Sequence, residues 1–148
     1  MKKIHITWGD IEESKRWLLE YKDKVDCIVC ILRGGMVPAI LASHILDVPI
    51  CYIEFKSYTG TKRRLIEYVN FSVSPDNIFG KRVLIVDDIF DSGKTLQNTK
   101  KIVQSLKPSK INTFVLVTKN EDKCDSLSID YYQTCSEKVW VVYPWENK

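Results

Sequence analysis

The sequence predicts an α/β fold with a mainly parallel, twisted sheet flanked by helices. Apolar runs of strand length alternate with segments of helical spacing along most of its 148 residues. Alternating strands and helices build βαβ units, in which a helical crossover joins two parallel strands. The chain length favours one domain, spanning residues 1–148.

The first half of the chain predicts two helices and two strands. Asp10 is expected to cap a helix that runs from about Ile11 to Tyr21. A continuous apolar run over Asp26–Leu32 predicts a buried strand, and the helix that follows its Arg-Gly-Gly turn is expected over Val37–Leu46. The stretch "VPICYIEF", residues 48–55, predicts the second strand.

The second half begins with a polar, basic segment, Ser57–Arg64, which we expect to be an exposed and mobile loop. Alternating strand-like residues and the turn-rich "SPDNIFGK" come next. "RVLIVDD" then predicts a strongly buried strand, and Thr95–Leu106 has helical spacing, with Pro108 just past its end. "INTFVLVT", "IDYYQ" and "VWVVYPWE" predict the last strands.

Polar clusters follow three of these strands: Arg33 to Gly35, Asp87 to Thr95, and Lys119. In open parallel sheets, ligands bind beyond the carboxyl ends of the strands. We therefore expect the three clusters to converge.

The composition excludes several classes of protein. A formal charge of +3 is mildly basic; it does not by itself indicate nucleic-acid binding and also suits an anionic small substrate. The start of the chain lacks the apolar core of a signal peptide, and no apolar run approaches the roughly 18 residues that a membrane span needs. An odd number of cysteines, five, in apolar contexts favours a reducing cytoplasm.

Cys27 and Cys30 have the spacing of a redox or zinc pair. They lie in a predicted buried strand, however, where residues three apart point to opposite faces. No second pair follows at metal-ligand spacing. Two inert, buried thiols are the expected outcome.

The stretch "VLIVDDIFDSGKT", residues 83–95, ends like the phosphate loop of a nucleoside triphosphatase. That loop needs a first glycine five residues before Gly93, and Asp88 stands there instead. Its carboxylate would repel a triphosphate. The shorter stretch Asp91–Thr95 can still hold one monophosphate if a helix begins just after it.

The same stretch resembles the phosphoribosyl pyrophosphate (PRPP) signature of type I phosphoribosyltransferases, in order, spacing and flanking strand. The resemblance implies that Asp87 and Asp88 accept hydrogen bonds from the ribose hydroxyls and support Mg²⁺. It further implies a 5′-phosphate held at the helix start by residues Ser92, Gly93, Lys94 and Thr95.

A second stretch, "VCILRGGMVPAILAS", looks like the pyrophosphate loop of purine phosphoribosyltransferases. Arg33 and the backbone of Gly34 and Gly35 would bind pyrophosphate oxygens, since glycine lets a backbone approach a ligand closely. The family also implies that the peptide between Leu32 and Arg33 can be cis.

Four further stretches, "ITWGDI", "SY", "TKNEDK" and "VWVVYPWE", resemble bacterial xanthine-guanine phosphoribosyltransferases. By this resemblance Lys119 donates to the 6-oxo oxygen of a purine, Trp140 stacks on the ring, and the carbonyls of Trp140 and Val141 face its 2-position. The fold implied is the type I phosphoribosyltransferase fold with a small C-terminal hood over the base, about 119–148.

The implied activity is purine salvage: transfer of ribose 5-phosphate from PRPP to xanthine, guanine or hypoxanthine, with Mg²⁺ as cofactor. Asp91 would contact purine N7 and relay a proton, and the loop over 57–64, with Arg64, would close over PRPP. A cytoplasmic homo-oligomer, a dimer or tetramer, is expected, without nucleic-acid or membrane partners. Two alternatives stay open: a phosphoribosyltransferase for another base, and a PRPP-sensing regulatory protein of the same fold.

Overall fold

The computed structural model describes residues 1–59 and 64–146, with the backbone alone for 57–59 and 64–69. The elements, in chain order, are β1 Lys2–His5, α1 Trp8–Leu19, β2 Cys27–Leu32, α2 Met36–Leu46, β3 Ile50–Thr59, β4 Arg64–Phe71, α3 Pro75–Ile78, β5 Arg82–Phe90, α4 Lys94–Ser105, β6 Lys110–Thr118, α5 Glu121–Ser126, β7 Ile129–Thr134 and β8 Val139–Val142.

Six strands form the main sheet, in the order β4-β3-β2-β5-β6-β7. All neighbours in it pair in parallel except β3 and β4, which are antiparallel. The expected α/β class with a mainly parallel sheet is confirmed. The strands β2, β5 and β6 therefore end at the same edge, which brings the residues that follow them together.

The central strands are apolar throughout because both faces of the sheet are covered. On β2, Cys27 packs with Val83 and Ile85 on one face, whereas Cys30 packs with Leu84 and Val86 on the other. Burial raises the pKa of Cys27 to about 11 and the pKa of Cys30 to about 12. The prediction of two inert thiols on opposite faces agrees with this arrangement.

The C-terminal segment is divided between two sheets. β7 extends the main sheet at its β6 edge, whereas β8 pairs in parallel with β1 in a two-stranded sheet, with Lys3 opposite Trp140. The extent of the hood expected over 119–148 stays a prediction; of the two strands that the structure describes in this segment, β7 belongs to the main sheet and β8 pairs with the first strand of the chain. The sequence could not show this pairing, because the two strands are separated by more than 130 residues.

The first helix begins earlier than predicted. Thr7, not Asp10, is the N-cap: the Asp10 N–H donates to Thr7 Oγ1 at 3.1 Å, and the Thr7 N–H donates to Asp10 Oδ2 at 2.8 Å. This reciprocal pair is a capping box, in which the acid stands three residues after the cap.

Residues at both ends of the loop expected over 57–64 lie in strands instead. The backbone of 57–59 continues β3 and Arg64 begins β4, with Thr59 opposite Arg64 in an antiparallel ladder. Antiparallel pairing satisfies the backbone N–H and C=O groups of these residues despite their polar side chains. The rest of the expected loop, 60–63, and the side chain of Arg64 lie outside the described residues. None of the helices in the described ranges is both long and apolar enough to cross a membrane.

Candidate active site

Two adjacent acids close the apolar run of β5. Asp87 is 8% exposed, and the Asp88 N–H donates to Asp87 Oδ1 at 2.9 Å. Burial and the neighbouring Asp88 raise the pKa of Asp87 well above its ordinary value, and burial raises the pKa of Asp88. No ion pair among the described residues includes either acid. Ionisation of the two carboxyls is therefore unfavourable here, and a cation or a hydroxyl donor at this point would stabilise their charged form.

The turn after β2 packs directly against these acids. A side chain at Gly34 would place its Cβ 2.2 Å from Asp88 Oδ2, and one at Gly35 would collide with the main-chain oxygens of Ile31 and Val86. Glycine is therefore required by close packing inside the protein, a reason that the sequence did not show. The peptide between Leu32 and Arg33 is cis, and Arg33 is exposed at the edge of the sheet.

The segment from Asp91 to Thr95 forms a tight loop between β5 and α4. Gly93 has φ +84°, and a Cβ there would lie 2.7 Å from the buried ring of Phe90. The N-cap of α4 is Gly93, which has no side chain to cap the helix, and the Lys94 N–H donates to Ser92 Oγ at 3.4 Å; the first-turn N–H groups of a helix point out of its N-terminus, here toward the loop. A cavity of about 130 Å³ adjoins them, lined by Asp87, Ile89, Phe90, Asp91, Ser92, Gly93, Lys94, Thr95 and Leu96. Helix starts of this kind bind phosphate.

Helix α5, which the sequence analysis did not predict, supports this loop. Lys123 Nζ donates to the main-chain oxygen of Ser92 at 3.0 Å and lies 6.0 Å from the centre of the Phe90 ring. Lys123 was missed because α5 has six residues and little apolar periodicity.

A second cavity, of about 190 Å³, lies on the other side of Asp91 and Ile89, and these two residues line both cavities. It is lined by Asp88, Ile89, Asp91, Lys119, Trp140, Val141, Tyr143 and Glu146. The Lys119 N–H donates to the Phe90 oxygen at 2.9 Å, and Lys119 Nζ lies 3.6 Å from Asp91 Oδ2. Trp140 is 48% exposed and presents an aromatic face, whereas Val141 is buried.

The structure brings two of the three predicted clusters, Asp87 to Thr95 and Lys119, together around the two cavities, whereas from the third cluster only the glycine turn packs against them. Lys119, Trp140 and Val141 meet Asp88 and Asp91 in one cavity. Arg33 lies outside both cavities, in a separate groove with Glu54 and Lys56. Sequence reasoning missed Tyr143 and Glu146, although both belong to the quoted stretch "VWVVYPWE".

The two acids fit Mg²⁺ as a cofactor. Mg²⁺ is commonly held by one or two carboxylates together with substrate phosphates and water, rather than by a cage of protein ligands. The described residues contain no group of three or more acidic, histidine or cysteine ligands, and Asp87 and Asp88 supply the smaller number.

Comparison with known proteins connects this geometry to a family. Residues 4–147 match the phosphoribosyl transferase domain. A xanthine-guanine phosphoribosyltransferase from a Ruegeria species is 32% identical over 162 residues, covering 98% of this chain and 86% of the relative. A hypoxanthine-guanine-xanthine phosphoribosyltransferase from Tritrichomonas foetus is 30% identical, covering 96% and 81%.

A solved structure gives the same result for the fold. The purine phosphoribosyltransferase of Pyrococcus horikoshii superposes with a TM-score of 0.81 at 32% identity, covering all of this chain and 97% of the other. The type I phosphoribosyltransferase fold expected from the sequence is confirmed, and the chain belongs to the phosphoribosyltransferase family of enzymes.

Proposed function

We propose that the protein transfers ribose 5-phosphate from PRPP to a 6-oxopurine, releasing pyrophosphate. One observation carries the proposal. The cavity at the start of α4, which suits a phosphate, and the cavity that contains Lys119 and the exposed indole of Trp140 are neighbours, with Asp91 lining both. The relatives named for xanthine, guanine and hypoxanthine support the same class of base.

On the PRPP side, the N–H groups at the start of α4 and the hydroxyls of Ser92 and Thr95 hold the 5′-phosphate, and Lys94 adds positive charge. Asp87 and Asp88 accept hydrogen bonds from the ribose 2′ and 3′ hydroxyls. Arg33 and the backbone of the Gly34–Gly35 turn bind the pyrophosphate.

Asp87 and Asp88 would also hold Mg²⁺ between the protein and PRPP. When bound, the ion supplies positive charge that offsets the charge developing on the leaving pyrophosphate. The raised pKa values of both acids, caused by burial, support a role for a cation at this point.

On the base side, Lys119 donates to the 6-oxo oxygen and Trp140 stacks on the ring. The main-chain oxygens of Trp140 and Val141 accept from a 2-amino group. A base with a 6-amino group would offer Lys119 no acceptor at that position, because the ammonium can only donate, and Asp91 would be its one acceptor among the cavity groups described above.

The transfer forms one bond and breaks one. Purine N9 attacks C1′ of the ribose while the bond from C1′ to the pyrophosphate oxygen breaks, through a transition state with oxocarbenium character. Asp91 accepts the proton that the base loses at N7. The ion pair between Lys119 and Asp91 supports this role, since it holds the carboxylate at the edge of the base cavity.

The test is an assay of nucleotide formation from PRPP, Mg²⁺ and a panel of bases, on the wild type and on Lys119→Met, with Lys110→Met as an exposed control. We expect the wild type to use guanine, xanthine or hypoxanthine far better than adenine. Loss of a buried hydrogen-bonding partner costs about 1–3 kcal/mol, so Lys119→Met should reduce the 6-oxo preference about 5- to 150-fold. A wild type that prefers adenine or a pyrimidine would contradict the proposal, and so would an unchanged preference in Lys119→Met.

The same assay separates the regulatory alternative. A PRPP-sensing protein would bind PRPP without forming nucleotide from any base. PRPP binding measured by calorimetry, together with product measured by chromatography, distinguishes the two.

We further propose that the protein assembles as a dimer or tetramer. Met36 and Ile40 on α2 and Ile50 on β3 are between 39% and 49% exposed, which is high for side chains of this size and apolar character. Light scattering on the purified protein measures the oligomeric state. A monomer at micromolar concentration would contradict the proposed assembly.

A further inference from the structure

Tyr143 lies just after β8 and connects elements that the proposed function keeps separate. Its side chain lines the base-side cavity together with Lys119 and Trp140. Its hydroxyl donates to the main-chain oxygen of Asp88 at 2.9 Å. One side chain therefore contacts both the base cavity and the strand end that carries the acid pair.

The position of Tyr143 is fixed on every side. Its ring stacks on Trp145, with ring centres 4.8 Å apart and planes 9° from parallel. Its N–H donates to Glu146 Oε2 at 3.0 Å, and the side chain is only 4% exposed. A buried aromatic held by stacking and two hydrogen bonds has little freedom to move independently of its partners.

Asp88 extends the connection to the Arg33–Gly35 turn, which is the proposed pyrophosphate subsite. Its carboxylate occupies the space that a side chain at Gly34 would need, with Asp88 Oδ2 2.2 Å from that Cβ position. A shift of the β5 strand end is therefore felt by the Arg33–Gly35 turn on one side and by Tyr143 on the other. Asp88 is therefore next to Tyr143 through its main-chain oxygen and next to Gly34 through its carboxylate.

We propose that Tyr143 is a positioning residue that couples base binding to PRPP binding through its hydrogen bond to Asp88. PRPP and its cation fix Asp88, Asp88 fixes Tyr143, and Tyr143 fixes one wall of the base cavity. The base then binds a cavity that is already ordered, so its affinity is higher when PRPP is present, and the reverse holds by linkage. This inference rests on the proposed function.

The test measures binding of 9-deazaguanine with and without PRPP and Mg²⁺ by calorimetry. Carbon replaces the attacking nitrogen in this base, so no transfer takes place during the titration. The variant is Tyr143→Phe, which keeps the ring and removes the hydroxyl. Tyr132→Phe is the matched control, since its hydroxyl donates to Glu13 at 2.9 Å and its side chain lines neither cavity.

We expect PRPP to tighten base binding at least about fivefold in the wild type and in Tyr132→Phe, the lower end of typical coupling. In Tyr143→Phe the ratio of the two dissociation constants should fall to within about twofold of one. A purely structural role would weaken both affinities and leave their ratio unchanged. An equal ratio in the wild type and Tyr143→Phe, or a wild-type ratio of one, overturns the inference.

Two further measurements distinguish a failure of this inference from a failure of the proposed function. Nucleotide formation from guanine, xanthine and hypoxanthine is measured on the same wild-type sample, and its absence with all three bases overturns the proposed function itself. If Tyr143→Phe does not fold, hydrogen exchange on the wild type replaces it: PRPP with Mg²⁺ should slow exchange over residues 139–143, and unchanged exchange there overturns the coupling.

Discussion

Asp88 lies between the glycine turn and Tyr143, and we propose that its carboxylate binds the ribose of PRPP. Replacing its carboxylate with an amide keeps the size and removes the charge. Hydrogen bonds to charged groups contribute about 1.5–3 kcal/mol, so Asp88→Asn should lower kcat/KM for PRPP about 10- to 150-fold. Steady-state kinetics at varied PRPP measures this, with Asp47→Asn as the control because Asp47 is exposed and has φ +53°, which asparagine also adopts. PRPP kinetics like those of the wild type in Asp88→Asn would remove the acid pair from the mechanism.

Replacing Asp87 with asparagine is expected to raise the stability of the fold, whereas Asp88→Asn is expected to lower activity. The folded pKa of Asp87 is raised above the ordinary value of 3.8 by burial and by Asp88, so the folded protein holds this proton more tightly than the unfolded chain does. Stability is therefore lost as the pH rises from the unfolded pKa through the folded pKa. Asp87→Asn cannot ionise, so without Mg²⁺ it should exceed the wild type in free energy of unfolding, by a margin that grows with pH. Urea unfolding at about pH 4, 6 and 8 measures the margin; a margin that is constant or shrinks with pH would contradict it.

Residues of the site differ in how far the sequence could predict them. The acids lie in the last part of β5, and the phosphate loop and Lys119 directly follow β5 and β6, so the topology of a parallel sheet was enough to bring them together. Tyr143 and Glu146 follow β8, which belongs to the small sheet. Their contacts depend on how that sheet packs on the main one, and residue spacing carries no information about this.

At the level of elements, the loop before α4 depends on a glycine that both bends the backbone and leaves room for Phe90. Gly93→Ala should destabilise the fold by more than the roughly 1–2 kcal/mol that a left-handed residue costs, and should raise KM for PRPP. Gly80→Ala is the matched control, because Gly80 has φ +69° with nothing within 4 Å of an added Cβ. Urea unfolding and PRPP kinetics on both variants measure the difference. Equal losses of stability in Gly93→Ala and Gly80→Ala would mean that the clash with Phe90 makes no contribution.

The elements that the sequence did not reveal share a physical cause. β1 has four residues of which only Ile4 is strongly apolar, and α5 has six residues. Short elements of this kind are stabilised by tertiary pairing rather than by their own periodicity. The long buried strands were predicted closely, because burial on both faces gives a continuous apolar run that does not depend on partners.

At the level of the whole molecule, the pairing of β1 with β8 makes the base cavity depend on residues far from it in sequence. The Ile6 N–H donates to Val142 O, and by the two-residue alternation of a strand the Ile4 N–H also faces β8. Ile4→Pro should therefore raise KM for the base more than KM for PRPP. Ile4→Ala, which loses the side chain but keeps the N–H, should change the two constants far less. Equal changes in KM for the base and KM for PRPP would indicate a general loss of stability instead.

The same pairing sets an order of events during synthesis. All the strands of the main sheet precede β8 in the chain, so the residues of that sheet and of its phosphate loop are synthesised before β8 is complete. At about 5–20 residues per second, β8 follows β7 by roughly one second. A nascent chain released before residue 139 would lack Trp140, Val141 and Tyr143 while retaining the acid pair. On the proposed function, such a fragment keeps the residues assigned to PRPP and lacks those assigned to the base, so the recognition of a base depends on a strand that is made after the rest of the site.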